Sequence, residues 1–91
     1  MRVHFTRTAL RQLDAIHAYV GQTSTDYARR VVDRITRRAA QIAEFPQSGR
    51  AVPEFASPRL REVIEGPYRI IYHIKPLQID VIAVLHGAQQ L

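Results

Sequence analysis

The order of hydrophobic and polar residues in the first quarter of the chain predicts a strand followed by a helix. Val3–Phe5 alternates and predicts a short strand. Thr6 then stands where an N-cap belongs, because its hydroxyl can accept from the first free backbone N–H groups of a helix. Gly21 is expected to end that helix in a left-handed conformation. The stripe that predicts the helix comprises Ala9, Leu10, Leu13, Ile16 and Val20.

A second amphipathic segment follows after a short polar connection. Ser24 or Thr25 is the expected N-cap, the helix is predicted from about Asp26 to Glu44, and Pro46 stops it. Because the connection is short, the two helices are expected to lie antiparallel as neighbours. The predicted apolar face comprises Ala28, Val31, Val32, Ile35, Ala39 and Ile42.

The second half of the chain predicts a loop and then a meander of strands. Residues 46–58 hold three prolines and a glycine and predict a long loop, with Phe55 packed beneath it. The strands are predicted at 60–65, 68–74 and 79–85, separated by short turns. The order β-α-α-β-β-β predicts one α+β domain over residues 1–91, a helical hairpin packed on a small, mostly antiparallel sheet.

The last predicted hairpin assigns side chains to the two faces of the sheet. If Ile74 opposes Ile79, cross-strand partners share a face. The face expected to pack on the helices then comprises Tyr68, Ile70, Tyr72, Ile74, Ile79, Val81, Ala83 and Leu85. The opposite face would carry Arg69, Ile71, His73, Asp80, Ile82, Val84 and His86.

This pattern predicts a basic surface in which His86 lies near Arg69. Arg59 and Arg61 would join it from the preceding strand. Such a surface can dock RNA or protein, with His86 as an acid or base. The alternative is an ordinary solvated sheet face, on which His73 and Asp80 form a cross-strand pair.

The charge balance favours a polyanionic partner. The chain has 91 residues, with thirteen Lys and Arg against eight Asp and Glu, a formal net charge of +5. Twelve of the thirteen cations are arginine, whose planar fork pairs with phosphates and carboxylates. A nucleic acid or an acidic protein fits this composition, and a basic bias of the host proteome is the alternative. The second helix presents Arg30, Arg34, Arg37 and Arg38, a row that can bind such a partner or simply face water.

Several classes of site and location are not indicated by the sequence. There is no cysteine, and the four histidines show no metal-ligand spacing, so no metal and no cofactor is expected. No glycine-rich phosphate loop or Gly-x-Ser-x-Gly element occurs. No signal peptide is visible, and the longest purely apolar run, Val81–Leu85, is far shorter than the roughly 20 residues of a membrane span. A cytoplasmic protein without membrane contact is expected.

Motifs spread over almost the whole chain resemble the RelE/ParE toxin superfamily. They begin with Thr6-x-x-Ala9-x-x-x-Leu13 and with Ala28 at the start of the second helix. They continue with Phe45-Pro46-x-x-Gly49-Arg50-x-Val52-Pro53-Glu54 and Leu60-Arg61-Glu62. They close with Tyr68-Arg69-Ile70-Ile71-Tyr72 and Val84-Leu85-His86-Gly87-Ala88. Each motif is weak alone, and their shared order and spacing is specific.

The resemblance implies a growth-arresting, plasmid-stabilising toxin of a type II toxin–antitoxin system. A cognate antitoxin would wrap and neutralise it in a hetero-oligomer, and a basic toxin suits an acidic antitoxin segment. The superfamily contains RelE-like toxins, which cut messenger RNA on the ribosome, and ParE-like toxins, which inhibit DNA gyrase. The residues that would bind the target or the antitoxin are Arg30, Arg34, Arg37, Arg38, Arg59, Arg61, Arg69 and His86.

The sequence departs from the RelE-like pattern at several positions. Arg69 matches the arginine after the tyrosine in that pattern, whereas the paired lysines would fall near Leu60 and Glu62, and the C-terminal arginine near Gln89. The candidates for RNA cleavage are therefore reduced to Arg69, His86 and Arg61. The Pro-x-x-Gly-Arg-x-Val-Pro-Glu loop is more similar to ParE-type sequences. A gyrase inhibitor is favoured, a ribosome-dependent endoribonuclease is the alternative, and a structural or DNA-binding basic domain is a third possibility that lacks helix-turn-helix features.

Overall fold

A computed structural model describes residues 1–87 and 89–91, within which two helices pack on a five-stranded sheet. The sheet order is β1-β5-β4-β3-β2, with β1 parallel to β5 and the other neighbours antiparallel. The predicted α+β hairpin-on-sheet fold is confirmed. The elements are β1 (Arg2–Phe5), α1 (Arg7–Gly21), α2 (Thr25–Ile42), a 3-10 turn (Pro46–Ser48), β2 (Arg50–Ala51), β3 (Leu60–Glu65), β4 (Tyr68–Ile74) and β5 (Gln78–His86).

Both helices begin at hydroxyl N-caps. The Thr6 side chain accepts from the backbone N–H of Ala9 at 3.2 Å, and that of Ser24 accepts from Tyr27 at 3.1 Å. Each bond satisfies one of the free donors at a helix N-terminus. The predicted caps are therefore confirmed, with Ser24 rather than Thr25 serving α2.

The expectation that Gly21 takes a left-handed conformation is wrong. Gly21 is the last residue of α1, and Gln22 after it is still right-handed, at φ −61° and ψ −30°. The turn closes because the N–H groups of Thr23 and Ser24 both donate to the Val20 carbonyl, at 3.1 and 3.2 Å. No positive φ is needed for this path. The glycine that does adopt one is Gly66, at φ 57°, in the β3–β4 turn.

The segment between α2 and β3 is more structured than the sequence predicts. It contains the 3-10 turn and β2, whose Arg50 pairs with Glu62 of β3. The residue buried from this segment is Val52, whereas Phe55 is 47% exposed, so the expectation that Phe55 packs beneath the loop is wrong. Because Val52 follows β2 directly, it reaches the outer face of the sheet beside Ile71.

A β-bulge changes the predicted faces of the sheet. Ile74 does oppose Ile79, as predicted, but the register shifts between Ile71 and Tyr72. The extra residue in β5 moves everything beyond it to the opposite face. Ala83 therefore joins Ile71 on the outer face, and Val84 joins the core under the helices. The predicted faces hold for all of β4 (68–74) and for 79–82, and they are reversed in β5 from 83 to 86.

Tyr72 ties the sheet to the turn that follows α2. Its ring is fully buried, and its hydroxyl donates to the Pro46 carbonyl at 2.7 Å and accepts from the Gly49 N–H at 3.0 Å. Burial raises the pKa of this hydroxyl, so it remains a neutral donor and acceptor.

We expect Tyr72→Phe to lower the free energy of unfolding by about 1–2 kcal/mol, because it leaves the buried Gly49 N–H without its acceptor. Urea unfolding followed by circular dichroism measures the change. Tyr19→Phe is the matched control, since the Tyr19 side chain is exposed. Equal losses in the two variants would contradict a structural role for the Tyr72 hydroxyl.

Candidate functional site

Arg69, the cation of β4 that the sequence singled out, is buried and fully engaged by other parts of the chain. Its Nε donates to Glu62 Oε1 at 2.9 Å, while Nη1 and Nη2 donate to the two carboxylate oxygens of Glu54 at 2.9 and 2.7 Å. Nη2 also lies 2.7 Å from Glu62 Oε1, and Nη1 donates to the Gln89 carbonyl at 3.0 Å. With 7% of its surface exposed, Arg69 directs every guanidinium nitrogen at an internal oxygen.

Strand pairing explains how these charges meet. Glu62 in β3 opposes Ile71, one position along the outer face from Arg69, so Glu62 and Arg69 are diagonal neighbours on that face. Arg50 in β2 opposes Glu62 from the other side, and its Nε and Nη2 both lie 2.7 Å from Glu62 Oε2. We call Arg50, Glu62, Arg69 and Glu54 the ion-pair cluster. Its two positive and two negative charges balance.

The ion-pair cluster shifts the pKa values of Glu54 and Arg69. Hydrogen bonds from Arg69 and from the Leu91 N–H lower the pKa of Glu54 from 4.5 to about 2. The bonds to Glu54, and secondarily the pairing with Glu62, raise the pKa of Arg69 against the opposing effect of its burial. Glu54 is therefore a carboxylate at any pH near neutrality.

The lowered pKa of Glu54 predicts acid sensitivity. A carboxyl whose folded-state pKa lies below its unfolded value contributes stability above the unfolded pKa, and that contribution is lost as pH falls through the folded pKa. The loss attributable to Glu54 should therefore extend from about pH 4.5 to about pH 2. Denaturant unfolding across this range should show a smaller dependence on pH in Glu54→Gln than in the native sequence. Equal pH dependence in both would contradict the assignment.

Arg61 lies on the other side of β3 from this cluster. It opposes Tyr72, which belongs to the core under the helices, and its Nη1 donates to the Gly49 carbonyl at 2.9 Å. Arg59 precedes β3 and is exposed, and its backbone carbonyl accepts from the Ile74 N–H at 2.8 Å. The sequence placed Arg59 and Arg61 with Arg69 on one surface; strand alternation puts Arg61 on the opposite face.

His86 is also separated from Arg69, contrary to the prediction. It opposes Tyr68 in the register beyond the bulge, and the two rings meet edge to face with centroids 5.9 Å apart. Arg69 instead opposes Leu85, whose side chain packs on the outer face. His86 lines a groove of about 500 Å³ between α1 and the end of β5, together with Gln12, Ile16, Tyr19 and Tyr68.

His73 and Asp80 do oppose each other across β4 and β5, but the Asp80 carboxylate binds other groups. Lys75 Nζ lies 2.5 Å from Asp80 Oδ2, and the Gln78 amide donates to Oδ1 at 2.7 Å. His4 Nδ1 lies 3.5 Å from Oδ1. These contacts, the Lys75 hydrogen bond foremost, lower the pKa of Asp80 and hold it ionised.

Comparison with known proteins identifies the family. The family model for the ParE toxin of type II toxin–antitoxin systems (parDE) matches residues 3–91. The chain belongs to the ParE toxin family. Y4kP of Sinorhizobium fredii is 38% identical over 89 residues, spanning 98% of this chain and 91% of that protein. Toxin RelE2 of Caulobacter vibrioides is 35% identical over 89 residues, spanning 97% of both chains.

A solved structure shows the same fold. A chain of the chromosomal ParDE toxin–antitoxin system from P. aeruginosa superposes with a TM-score of 0.78 at 24% identity, covering 94% of this chain and 95% of that one. The family match, rather than this fold likeness, makes the protein the toxin of a type II toxin–antitoxin system, whose partner is an antitoxin. In the part of the toxin that is described, neither helix is long and apolar enough to cross a membrane.

The arginines of α2 lie along the solvent side of the helical hairpin, as predicted. Arg30, Arg34 and Arg37 are exposed and Arg38 is half-buried. The Arg30 guanidinium sits 5.6 Å from the centroid of the Tyr27 ring, and Arg38 Nη1 contacts Gln41 Oε1 at 3.3 Å. Tyr19 is 75% exposed near the end of α1, so this end of the hairpin combines aromatic rings with cations.

Sequence reasoning missed the two carboxylates that hold Arg69. In the sequence, Glu62 stands out only as part of the Leu60-Arg61-Glu62 motif and as the position of an absent lysine, and Glu54 only as part of the loop motif. One signal was available: a glutamate within a short strand, followed seven residues later by an arginine in the next strand, is compatible with a cross-strand ion pair. Nothing in the sequence indicated that Glu54 would fold back to the same arginine.

Proposed function

We propose that this toxin acts by binding and inhibiting DNA gyrase and does not cleave RNA. The observation that carries the proposal is the ion-pair cluster. Arg69 is the residue that matches the RelE-like pattern, and Glu54 and Glu62 already use its guanidinium. A phosphate could reach Arg69 only by displacing Glu54 or Glu62, and the Glu62 carboxylate is fully buried, so its separation from Arg69 is costly.

The arrangement of the other candidates supports the same proposal. Cleavage by a 2′-hydroxyl needs a base, an acid and cations around one phosphate. Arg61 and Arg69 lie on opposite faces of the sheet, and His86 lines the groove beside α1. Such separated groups do not surround one reacting atom.

The helical hairpin is the proposed contact surface for the target. Tyr19, Tyr27 and Leu10 are large side chains exposed at 75%, 44% and 49%. Tyrosine and arginine are enriched among the residues that dominate protein–protein binding energies. The Tyr27–Arg30 stack places both residue types at one position on this surface.

Growth assays with paired variants test the proposal. Under gyrase inhibition, His86→Ala should remain as toxic as the native toxin, whereas Tyr19→Ala combined with Tyr27→Ala should lose toxicity. Binding of the cognate antitoxin and the circular dichroism spectrum serve as fold controls for each variant. Loss of toxicity in a folded, antitoxin-binding His86→Ala variant would contradict the proposal.

A ribosome-dependent endoribonuclease is the second candidate. The name of the relative toxin RelE2 is compatible with it, since that protein is 35% identical over nearly the full length. It predicts cleaved messenger RNA soon after induction and loss of toxicity in a His86→Ala variant that still folds and binds the antitoxin. Full-length transcripts in arrested cells would exclude it.

A further inference from the structure

The end of the sheet opposite the α1–α2 turn carries a cleft lined by positive charges. Its volume is about 480 Å³, and its polar lining comes from Arg59, Arg61, Lys75 and Gln47. We call the cleft that these four residues line the basic cleft. Among the described residues that line it, none is Asp or Glu. This absence distinguishes it from the ion-pair cluster, where each arginine meets a carboxylate.

Arg61 is held in place but not neutralised. Its Nη1 donates to the neutral Gly49 carbonyl, and its Nε is buried without a hydrogen-bond partner among the described residues. A buried donor without a partner is unfavourable, and an anion that approaches the guanidinium can improve its hydrogen bonding. Arg61 therefore retains both a full charge and unused donor capacity.

The cations of the basic cleft stand on rigid backbone. Arg59, just before β3, and Arg61, inside it, are two residues apart and both line the cleft, which places their Cα atoms about 7 Å apart. The Arg59 carbonyl is fixed by the Ile74 N–H at 2.8 Å. Lys75 is joined to Asp80 at 2.5 Å, so part of its charge is compensated. The two arginines are the expected primary contacts.

We propose that the basic cleft binds the phosphate backbone of duplex DNA. Two neighbouring arginines in an open cleft, whose described lining holds no carboxylate, suit the evenly spaced charges of a nucleic acid backbone. The exposed tyrosines of the hairpin lie at the other end of α2, about 27 Å away for an 18-residue helix. The toxin therefore has separate surfaces for protein and for DNA. DNA binding by the cleft stands on its own. The identification of this DNA as the segment held by gyrase depends on the function proposed above.

Fluorescence anisotropy with labelled duplex DNA and the purified toxin tests the cleft directly. The native toxin should bind at about 50 mM salt and weaken steeply towards about 200 mM, because binding releases counterions. Arg59→Glu should weaken binding at least tenfold on any DNA sequence and should flatten the salt dependence. Arg11→Glu, an exposed arginine of α1, changes the net charge equally and should weaken binding much less.

The DNA affinities of Arg59→Glu and Arg11→Glu, compared with each other, decide whether the basic cleft binds DNA. Equal weakening by Arg59→Glu and Arg11→Glu would mean that binding follows net charge alone, and would overturn the proposal. Failure of the native toxin to bind DNA at low salt would overturn it as well, as would tighter binding to a poly-glutamate peptide than to DNA. Arg59 is the chosen position because its exposed side chain can change without disturbing the Gly49 turn that Arg61 supports.

A supercoiling assay separates failure of this inference from failure of the gyrase proposal. If both are correct, Arg59→Glu should need roughly tenfold more toxin to inhibit gyrase than Arg11→Glu does. Gyrase inhibition that is unchanged in Arg59→Glu would reject contact between the cleft and gyrase-held DNA and leave the gyrase proposal intact, while the anisotropy result decides DNA binding by the cleft itself. DNA binding through Arg59 without any gyrase inhibition would reject the gyrase proposal and leave the cleft as a DNA site.

Discussion

Replacing Arg69 with alanine is expected to lower the free energy of unfolding by about 3–5 kcal/mol, the typical effect of removing one partner of a buried ion pair. The Glu62 side chain is fully buried, and Glu54 would lose both hydrogen bonds from Arg69. The buried Glu62 carboxylate would then keep only the exposed Arg50 as its cationic partner in the described chain, and Glu54 would keep only the bond from the Leu91 N–H. For a domain of this size that loss is a large share of the total stability, and thermal or urea unfolding measures it.

Arg50→Ala is the matched control for this prediction. Arg50 contacts the same Glu62 carboxylate at 2.7 Å, but its side chain is 64% exposed. Because solvent screens exposed pairs, its removal should lower stability by at most about 1 kcal/mol. If the two alanine variants lose similar stability, burial does not explain the strength of the cluster and the prediction is wrong.

The Gly49→Ala variant is expected to lose about 3 kcal/mol, because the new methyl group has no space. A Cβ on Gly49 would lie 2.5 Å from the Tyr72 hydroxyl and 2.7 Å from the Glu62 carbonyl oxygen. Neither atom can move freely: one is in a buried ring that is bonded to Pro46, and the other is in the backbone of β3. Urea unfolding at neutral pH checks the prediction.

The contrasting substitution is Gly21→Ala. Gly21 is helical, and its added Cβ would meet the Ala28 methyl at 3.8 Å, an ordinary packing distance. Because alanine favours the helix over glycine, this variant should gain between a few tenths and about 1 kcal/mol. Similar destabilisation of both glycine variants would show that the crowding around Gly49 is not the cause of its effect.

The sequence alone indicates most of the elements and the pairing of the last hairpin. Thr6 and Ser24 mark the helix starts, and the Ile74–Ile79 pairing follows from the length of the turn. These features depend on local spacing and on cap chemistry, which a sequence displays directly. The bulge in β5 cannot be predicted from the sequence, because Ile82 and its neighbours are all apolar and suit either face of the sheet.

The site was harder to predict for the same reason. The position of His86 depends on the bulge, and a one-residue shift moves it away from Arg69. The Glu54–Arg69 pair joins residues 15 positions apart through a loop whose path the sequence does not fix. Arg69 was identified as important, but its environment, and therefore its chemistry, required the three-dimensional structure.

The measurement that tests the central claim most directly is supercoiling by purified DNA gyrase with the toxin titrated in. We expect the toxin to inhibit supercoiling, His86→Ala to inhibit equally, and the cognate antitoxin to restore gyrase activity. Unchanged supercoiling in the presence of folded toxin, with messenger RNA cleaved when the same preparation is added to translating ribosomes, would contradict this expectation.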